Sequence, residues 1–118
     1  MLLKDLNAII HPEVAKDFKQ WVAALPEQPY CIKEAAILFE SGSYKQCDAT
    51  ILVQAPLEAR ITRLLKRDNT TREAILNRMA SQWPEPKKEA LATYIIYNKE
   101  WPRTQQQIVK LHQLLSAN

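Results

Sequence analysis

The sequence predicts an α/β fold, a small parallel sheet flanked by helices, in a single domain over residues 1–118. Two observations carry that expectation. Three short apolar runs, Tyr30-Cys31-Ile32, Ile51-Leu52-Val53 and Tyr94-Ile95-Ile96-Tyr97, have the pattern of strands covered on both faces. They alternate with stretches whose apolar residues recur at helical spacing, the order that favours parallel pairing with helices on the sheet.

Each element has its own signal. Leu2 to Ile10 reads as an apolar lead-in, and Pro12 opens a helix with Val14, Phe18, Trp21, Val22 and Leu25 inward; Pro26 to Pro29 breaks it. The Tyr30 strand extends towards Ala36. Ser41-Gly42-Ser43 is a turn, and Tyr44 to Cys47 a helical turn before the second strand. Pro56 suits a first helical turn, where its missing N–H costs nothing. Leu57, Ile61, Leu64 and Leu65 then form one buried stripe, while Arg60, Arg63 and Arg67 line a different face. Thr70-Thr71-Arg72-Glu73 is a capping box, so a new helix begins there, with Ile75, Met79 and Trp83 inward and Pro84 and Pro86 ending it. Lys87 to Ala92 forms a short helix and Tyr94 to Tyr97 the third strand. Thr104 to Gln107 is a weaker box for a last helix, with Ile108, Leu111, Leu114 and Leu115 inward.

Composition excludes several classes. Apolar residues make up 47% and charged residues 25%, as in soluble globular proteins. No run approaches the ~20 apolar residues of a membrane span. The N-terminal stretch lacks the features of a signal peptide, so a cytoplasmic protein is expected. Cys31 and Cys47 are too few for a disulfide framework, and neither they nor the two histidines are spaced as metal ligands. The net charge is +3, but from Arg60 to Lys88 eight Lys/Arg face only Asp68, Glu73 and Glu85, a local +5. A basic patch on a near-neutral chain fits a phosphate ligand better than a nucleic-acid coat. The C-terminal end of a buried parallel strand is where open α/β sheets place ligands, and the arginine row beyond Val53 suits a polyanion there. The only glycine is Gly42, so the chain cannot itself build a glycine-rich phosphate loop.

Four stretches resemble the dephospho-coenzyme A kinase family. Leu6-Asn7-Ala8-Ile9-Ile10-His11-Pro12 resembles its L-N-x-x-x-H-P segment, and Ile37-Leu38-Phe39-Glu40-Ser41-Gly42 its L-L-F-E-x-G segment. Arg63 to Glu73 resembles R-x-x-x-R-D-x-x-[ST]-R-E, and Ala92 to Asn98 resembles A-D-x-x-I-x-N, with Thr93 where the family has Asp. Lys33-Glu34-Ala35-Ala36 also departs from the family's usual phrase. The resemblance covers the later part of such an enzyme. It implies an incomplete P-loop kinase-like three-layer fold with a lid at about residues 67–92, lacking the phosphate loop, the first two strands and the catalytic Asp. Removing the central first strand leaves a gap, so the resemblance implies a homo-oligomer or a separate N-terminal segment.

The implied activity is ATP-dependent phosphorylation of the 3′-hydroxyl of dephospho-CoA, with ATP as co-substrate and Mg²⁺ in the complete enzyme. The isolated chain is expected to be inactive. By resemblance, Arg67, Arg72, Lys88 and Asn98 are ATP-binding, with Arg67 the lid residue on the phosphates. His11, Leu38 and Glu40 line the dephospho-CoA side. The residues alone leave plainer readings open: solvated helix charges for Arg67, Arg72 and Lys88, a helix cap for His11, a strand-ending turn for Asn98, an ion-pair carboxylate for Glu40. The competing function is a non-catalytic binding or assembly module derived from the kinase. Neither a nucleic-acid nor a membrane partner is expected.

Overall fold

A computed structural model describes residues 2–25 and 27–117, and leaves undescribed the side chains of residues 2–5, 7 and 11. The chain divides into two compact units, residues 1–33 with 115–118 and residues 34–114.

In the first unit, α1 spans Leu2–Ala24 and contains Pro12 in its interior. The expected helix start at Pro12 is therefore wrong. The ring removes one backbone donor and crowds the preceding turn, yet good helix formers on both sides carry the helix through. The stripe expected to face inward is largely exposed at Val14, Trp21 and Val22. Phe18 and Trp21 meet with ring centroids 5.9 Å apart, and the Lys33 ammonium sits 4.8 Å above the Phe18 ring. The strand expected from Tyr30 towards Ala36 does not form, and Cys31 and Ile32 are exposed. A strand needs a ladder partner for its N–H and C=O groups, and this segment has none among the described residues.

The second unit holds the core: Phe39, Leu52, Ile61, Ile75, Ile96 and Leu111 are all buried. Residues 37–42 turn tightly, with Ser41 N–H bonded to the Ile37 carbonyl and Gly42 N–H to that of Phe39. Gly42 has φ 81°, a left-handed conformation that glycine takes without a Cβ penalty. A 3₁₀ turn follows at Ser43–Gln46, stacking Tyr44 on Phe39 with centroids 5.3 Å apart.

Strand β1 (Ile51–Gln54) pairs in parallel with β2 (Tyr94–Tyr97), with Leu52 opposite Ile95 and Val53 opposite Ile96. The sheet has two strands among the described residues, one fewer than expected. Its entry is tied by two threonines: Thr50 N–H donates to Thr93 Oγ1 at 3.0 Å and Thr93 N–H to Thr50 Oγ1 at 3.1 Å.

The ladder bonds run from Tyr94 and Asn98 N–H to the Thr50 and Gln54 carbonyls. By strand alternation, the backbone groups of Tyr97 and of Val53 point to the two outer edges. The edges differ. At β2, the Gln107 amide accepts from Tyr97 N–H at 2.8 Å and donates to the Tyr97 carbonyl at 3.0 Å. The β1 edge has no such cover among the described residues, and Val53 is 59% exposed.

Helix α2 (Leu57–Arg67) follows Pro56, which stands at the N-cap, and buries Ile61 to 1% exposure. Helix α3 (Arg72–Ala80) is capped by Thr71, whose hydroxyl accepts from Ala74 N–H at 3.2 Å. The cap is one residue later than the box predicts, so Glu73 lies in the first turn instead of closing that box. Helix α4 (Glu85–Leu91) starts two residues before the expected Lys87, because Pro84 at the N-cap and Pro86 in the first turn both suit a helix start. Helix α5 (Trp101–Ser116) begins before Thr104, which is buried inside it instead of capping it. Leu111 faces the core as expected, whereas Ile108 and Leu114 are exposed.

Candidate functional site

The arginine row meets the sheet at its C-terminal end. Arg63, in the middle of α2, donates from Nη1 to the Asn98 carbonyl at 3.0 Å and from Nη2 to the Lys99 carbonyl at 3.3 Å. Asn98 is held on two further sides. Its N–H reaches the Gln54 carbonyl at 2.6 Å, and its side-chain oxygen lies 3.0 Å from the Thr104 hydroxyl. That hydroxyl also lies 3.0 Å from the Glu100 carbonyl, so its one proton is shared between two acceptors. The β2–α5 loop is thereby pinned to α2, β1 and α5 together.

A second cluster lies between α2 and α4. Arg60 Nη1 and Lys88 Nζ approach the same Glu85 oxygen, at 3.6 and 3.4 Å. Lys88 is only 8% exposed, and the other Glu85 oxygen is buried without a hydrogen bond among the described residues. Gln54 Nε2 donates to Glu89 at 3.2 Å, which ties the end of β1 to α4. The ends of both strands are thus bordered by α2, α4 and the Asn98 loop.

The remaining arginines expected at the site are occupied by carboxylates. Arg67 makes a two-point pair with Asp68 at 2.9 and 2.8 Å, and Arg72 makes one with Glu58 at 2.9 and 2.7 Å. Hydrogen bonds from Arg72 hold the Glu58 carboxyl below its usual range. Those from Arg67, helped by the Arg67 and Arg78 charges, do the same for Asp68. The two guanidiniums are shifted the other way by the same pairs.

On the expected substrate side, the Leu38 carbonyl accepts from Tyr44 N–H. One Glu40 oxygen accepts from Trp83 N–H at 3.0 Å, and the other is buried without a partner among the described residues. This joins the Leu38–Gly42 turn to the α3–α4 connection. The Lys87 ammonium covers the Trp83 ring at 3.7 Å. The His11 side chain lies outside the described residues. Two surface grooves lie elsewhere: one on α5 around Gln106 and Val109, the other between β2 and α5 around Ile96 and Leu111.

Comparison with known proteins gives this arrangement a family. A family model described as dephospho-CoA kinase matches residues 2–102. The chain belongs to the dephospho-CoA kinase family. A dephospho-CoA kinase of Chlorobium chlorochromatii is 44% identical over 99 residues, covering 82% of this chain and 47% of that protein. One of Porphyromonas gingivalis is 47% identical over 81 residues, covering 69% of this chain and 40% of that one. The crystal structure of TT1252 from Thermus thermophilus superposes with a TM-score of 0.88 at 34% identity, over 95% of this chain and 58% of that one. The chain spans about half the length of the curated relatives it matches. The expected fold class, α/β with a small parallel sheet flanked by helices, stands.

The sequence places Arg63 with Arg60 and Arg67 in a row facing a polyanion and at the start of a family motif; the structure instead gives its guanidinium to the main chain of the β2–α5 loop. The partners of Arg72 and Asn98 had no signal in the sequence: Glu58 lies fourteen residues before Arg72, and Thr104 follows an irregular loop.

Proposed function

We propose that this chain is the lid-and-loop portion of a dephospho-CoA kinase, acting in transfer of the γ-phosphoryl group of ATP to the 3′-hydroxyl of dephospho-CoA. The observation that carries it is the Arg63–Asn98 contact, which sets the arginine row of α2 beside the C-terminal end of β2. In that reading the Asn98 loop lies along the purine, and Arg67 and Arg72 close on the phosphates. Phosphoryl transfer needs little covalent chemistry from protein, so guanidiniums that neutralise the equatorial oxygens do much of the work. The attacking hydroxyl oxygen forms the new bond to phosphorus, ADP leaves, and the hydroxyl proton needs a base. Lys88, buried on Glu85, steadies α4 and supplies positive potential near the phosphates. Glu40, Leu38 and His11 belong to the dephospho-CoA side.

Mg²⁺ would neutralise phosphate charge there, and in this reading the metal site and the phosphate-cradling loop belong to the half of the family fold that this chain does not span. The open edge of β1 supports the same reading, because a parallel strand from the half of the family fold not spanned here would cover Val53 and pair its backbone. A second copy of the chain would compete for that edge. Among the described residues no helix is long and apolar enough to cross a membrane; what supports a cytoplasmic placement is the likeness to the kinase family.

The test is a dephospho-CoA phosphorylation assay with and without the N-terminal half of the Chlorobium chlorochromatii relative added as a separate polypeptide. We expect no transfer by this chain alone and ATP- and Mg²⁺-dependent transfer by the mixture, lost in Arg67→Ala. Turnover by the chain alone would refute the need for completion. A mixture that associates and binds ATP without turnover would favour the non-catalytic module, a reading encouraged by the carboxylates already occupying Arg67 and Arg72.

A further inference from the structure

The reading above needs Arg72 free to meet phosphate, yet its guanidinium fork is filled by Glu58 in two bonds of 2.9 and 2.7 Å. The pair spans a specific joint. Glu58 lies in the first turn of α2 and Arg72 is the first residue of α3, so the bridge ties the starts of the two helices together across residues 68–71. Both side chains remain more than half exposed, so an incoming anion has a path to the guanidinium. A carboxylate and a phosphate can each offer two oxygens to the guanidinium, and the fork serves one at a time.

We infer that Glu58 is a positioning residue: it holds Arg72 against the first turn of α2 in the unliganded chain and yields it to a polyphosphate on binding. This rests on Arg72 being a phosphate ligand. Glu58 thereby does two opposed things. It orients the guanidinium in advance, and it competes with the ligand. Because exposed ion pairs are weak, the competition is small enough for a triphosphate to win.

Calorimetric titration of the 118-residue chain with inorganic tripolyphosphate tests this, on the wild type, Glu58→Gln, Glu73→Gln and Arg72→Lys. Glu73 is exposed beside Arg72 in the first turn of α3, so its variant removes the same charge without touching the bridge. We expect Glu58→Gln to bind tripolyphosphate about two- to fivefold more tightly than wild type, the range set by an exposed ion pair. Glu73→Gln should gain clearly less, and Arg72→Lys should bind more weakly than wild type. Equal gains for the two glutamine variants, or none for Glu58→Gln, would overturn the inference while leaving Arg72 a phosphate ligand. Unchanged binding by Arg72→Lys, or none by wild type, would overturn the reading beneath it. A second measurement needs no variant: the Glu58 carboxyl carbon followed by NMR should titrate at higher pH with tripolyphosphate bound than without. An unmoved midpoint would also overturn the inference.

Discussion

Arg63 on α2 binds the main chain of Asn98, with its guanidinium donating to the carbonyls of Asn98 and Lys99. One side chain thus ties the arginine-bearing helix to the loop that leaves β2. Arg63→Ala should free that loop. Hydrogen–deuterium exchange at the Asn98 N–H, which is bonded to the Gln54 carbonyl, should quicken, and stability should fall by about 1 kcal/mol, the scale for charged hydrogen bonds at an exposed site. An unchanged exchange rate would show that Thr104 and Gln54 hold the loop without help.

The Gln107 amide closes the outer edge of β2 by bonding both backbone groups of Tyr97. Gln107→Ala removes both bonds and reopens a strand edge. We expect a loss of about 1–2 kcal/mol in urea unfolding and faster self-association by light scattering. Gln107→Glu, ionised at neutral pH, keeps an acceptor for the Tyr97 N–H and loses the donor to its carbonyl, so there it should fall between wild type and Gln107→Ala.

Ile61 is the most completely buried large side chain, at 1% exposure on α2. Ile61→Ala should cost about 2–5 kcal/mol and Ile61→Val about 0.5–1.5 kcal/mol, because a cavity remains where the side chain was. In so small a core the alanine variant should be largely unfolded at 37 °C by circular dichroism.

The carboxyls of Glu58 and Asp68 are held below their ordinary values by Arg72 and Arg67. A depressed folded value means that the unfolded chain binds protons first as pH falls. Their stabilisation is therefore present above the ordinary carboxylate range and fades through and below it. Urea midpoints between pH 7 and pH 3 should show a fall on the acid side that is shallower in Glu58→Gln/Asp68→Asn. Both groups are exposed, so the difference between the curves should be small and shrink further in high salt.

Thr71→Ala should cost about 1 kcal/mol through loss of the α3 cap, while Thr70→Ala should cost little. A larger loss from Thr70→Ala than from Thr71→Ala would mean that the box begins at Thr70, as the sequence alone suggests.

Local chemistry made much of this fold legible. Ile51 to Val53 and Tyr94 to Tyr97 are apolar throughout, and both became strands. Helices α2 and α3 follow from periodicity and from Pro56 and the threonine pair. The same rules misplaced Pro12, because a local breaker yields when a strong helix continues on both sides. They misplaced Thr104, whose hydroxyl is taken by Asn98 and Glu100 instead of a helix end. They also read Tyr30 to Ala36 as a strand, although an apolar run becomes one only when another backbone lies beside it.

The site divides in the same way. The basic character of Arg60 to Lys88 and the family motifs around Arg67 and Asn98 are properties of the chain in order, and sequence alone determined them, because motif spacing and charge need no folded partner. Which arginine touches the β2 loop, which carboxylate fills the Arg72 guanidinium, and which strand edge stays open were decided only in three dimensions. Those outcomes depend on pairs fourteen to forty-three residues apart, and nothing in local propensity carries that information.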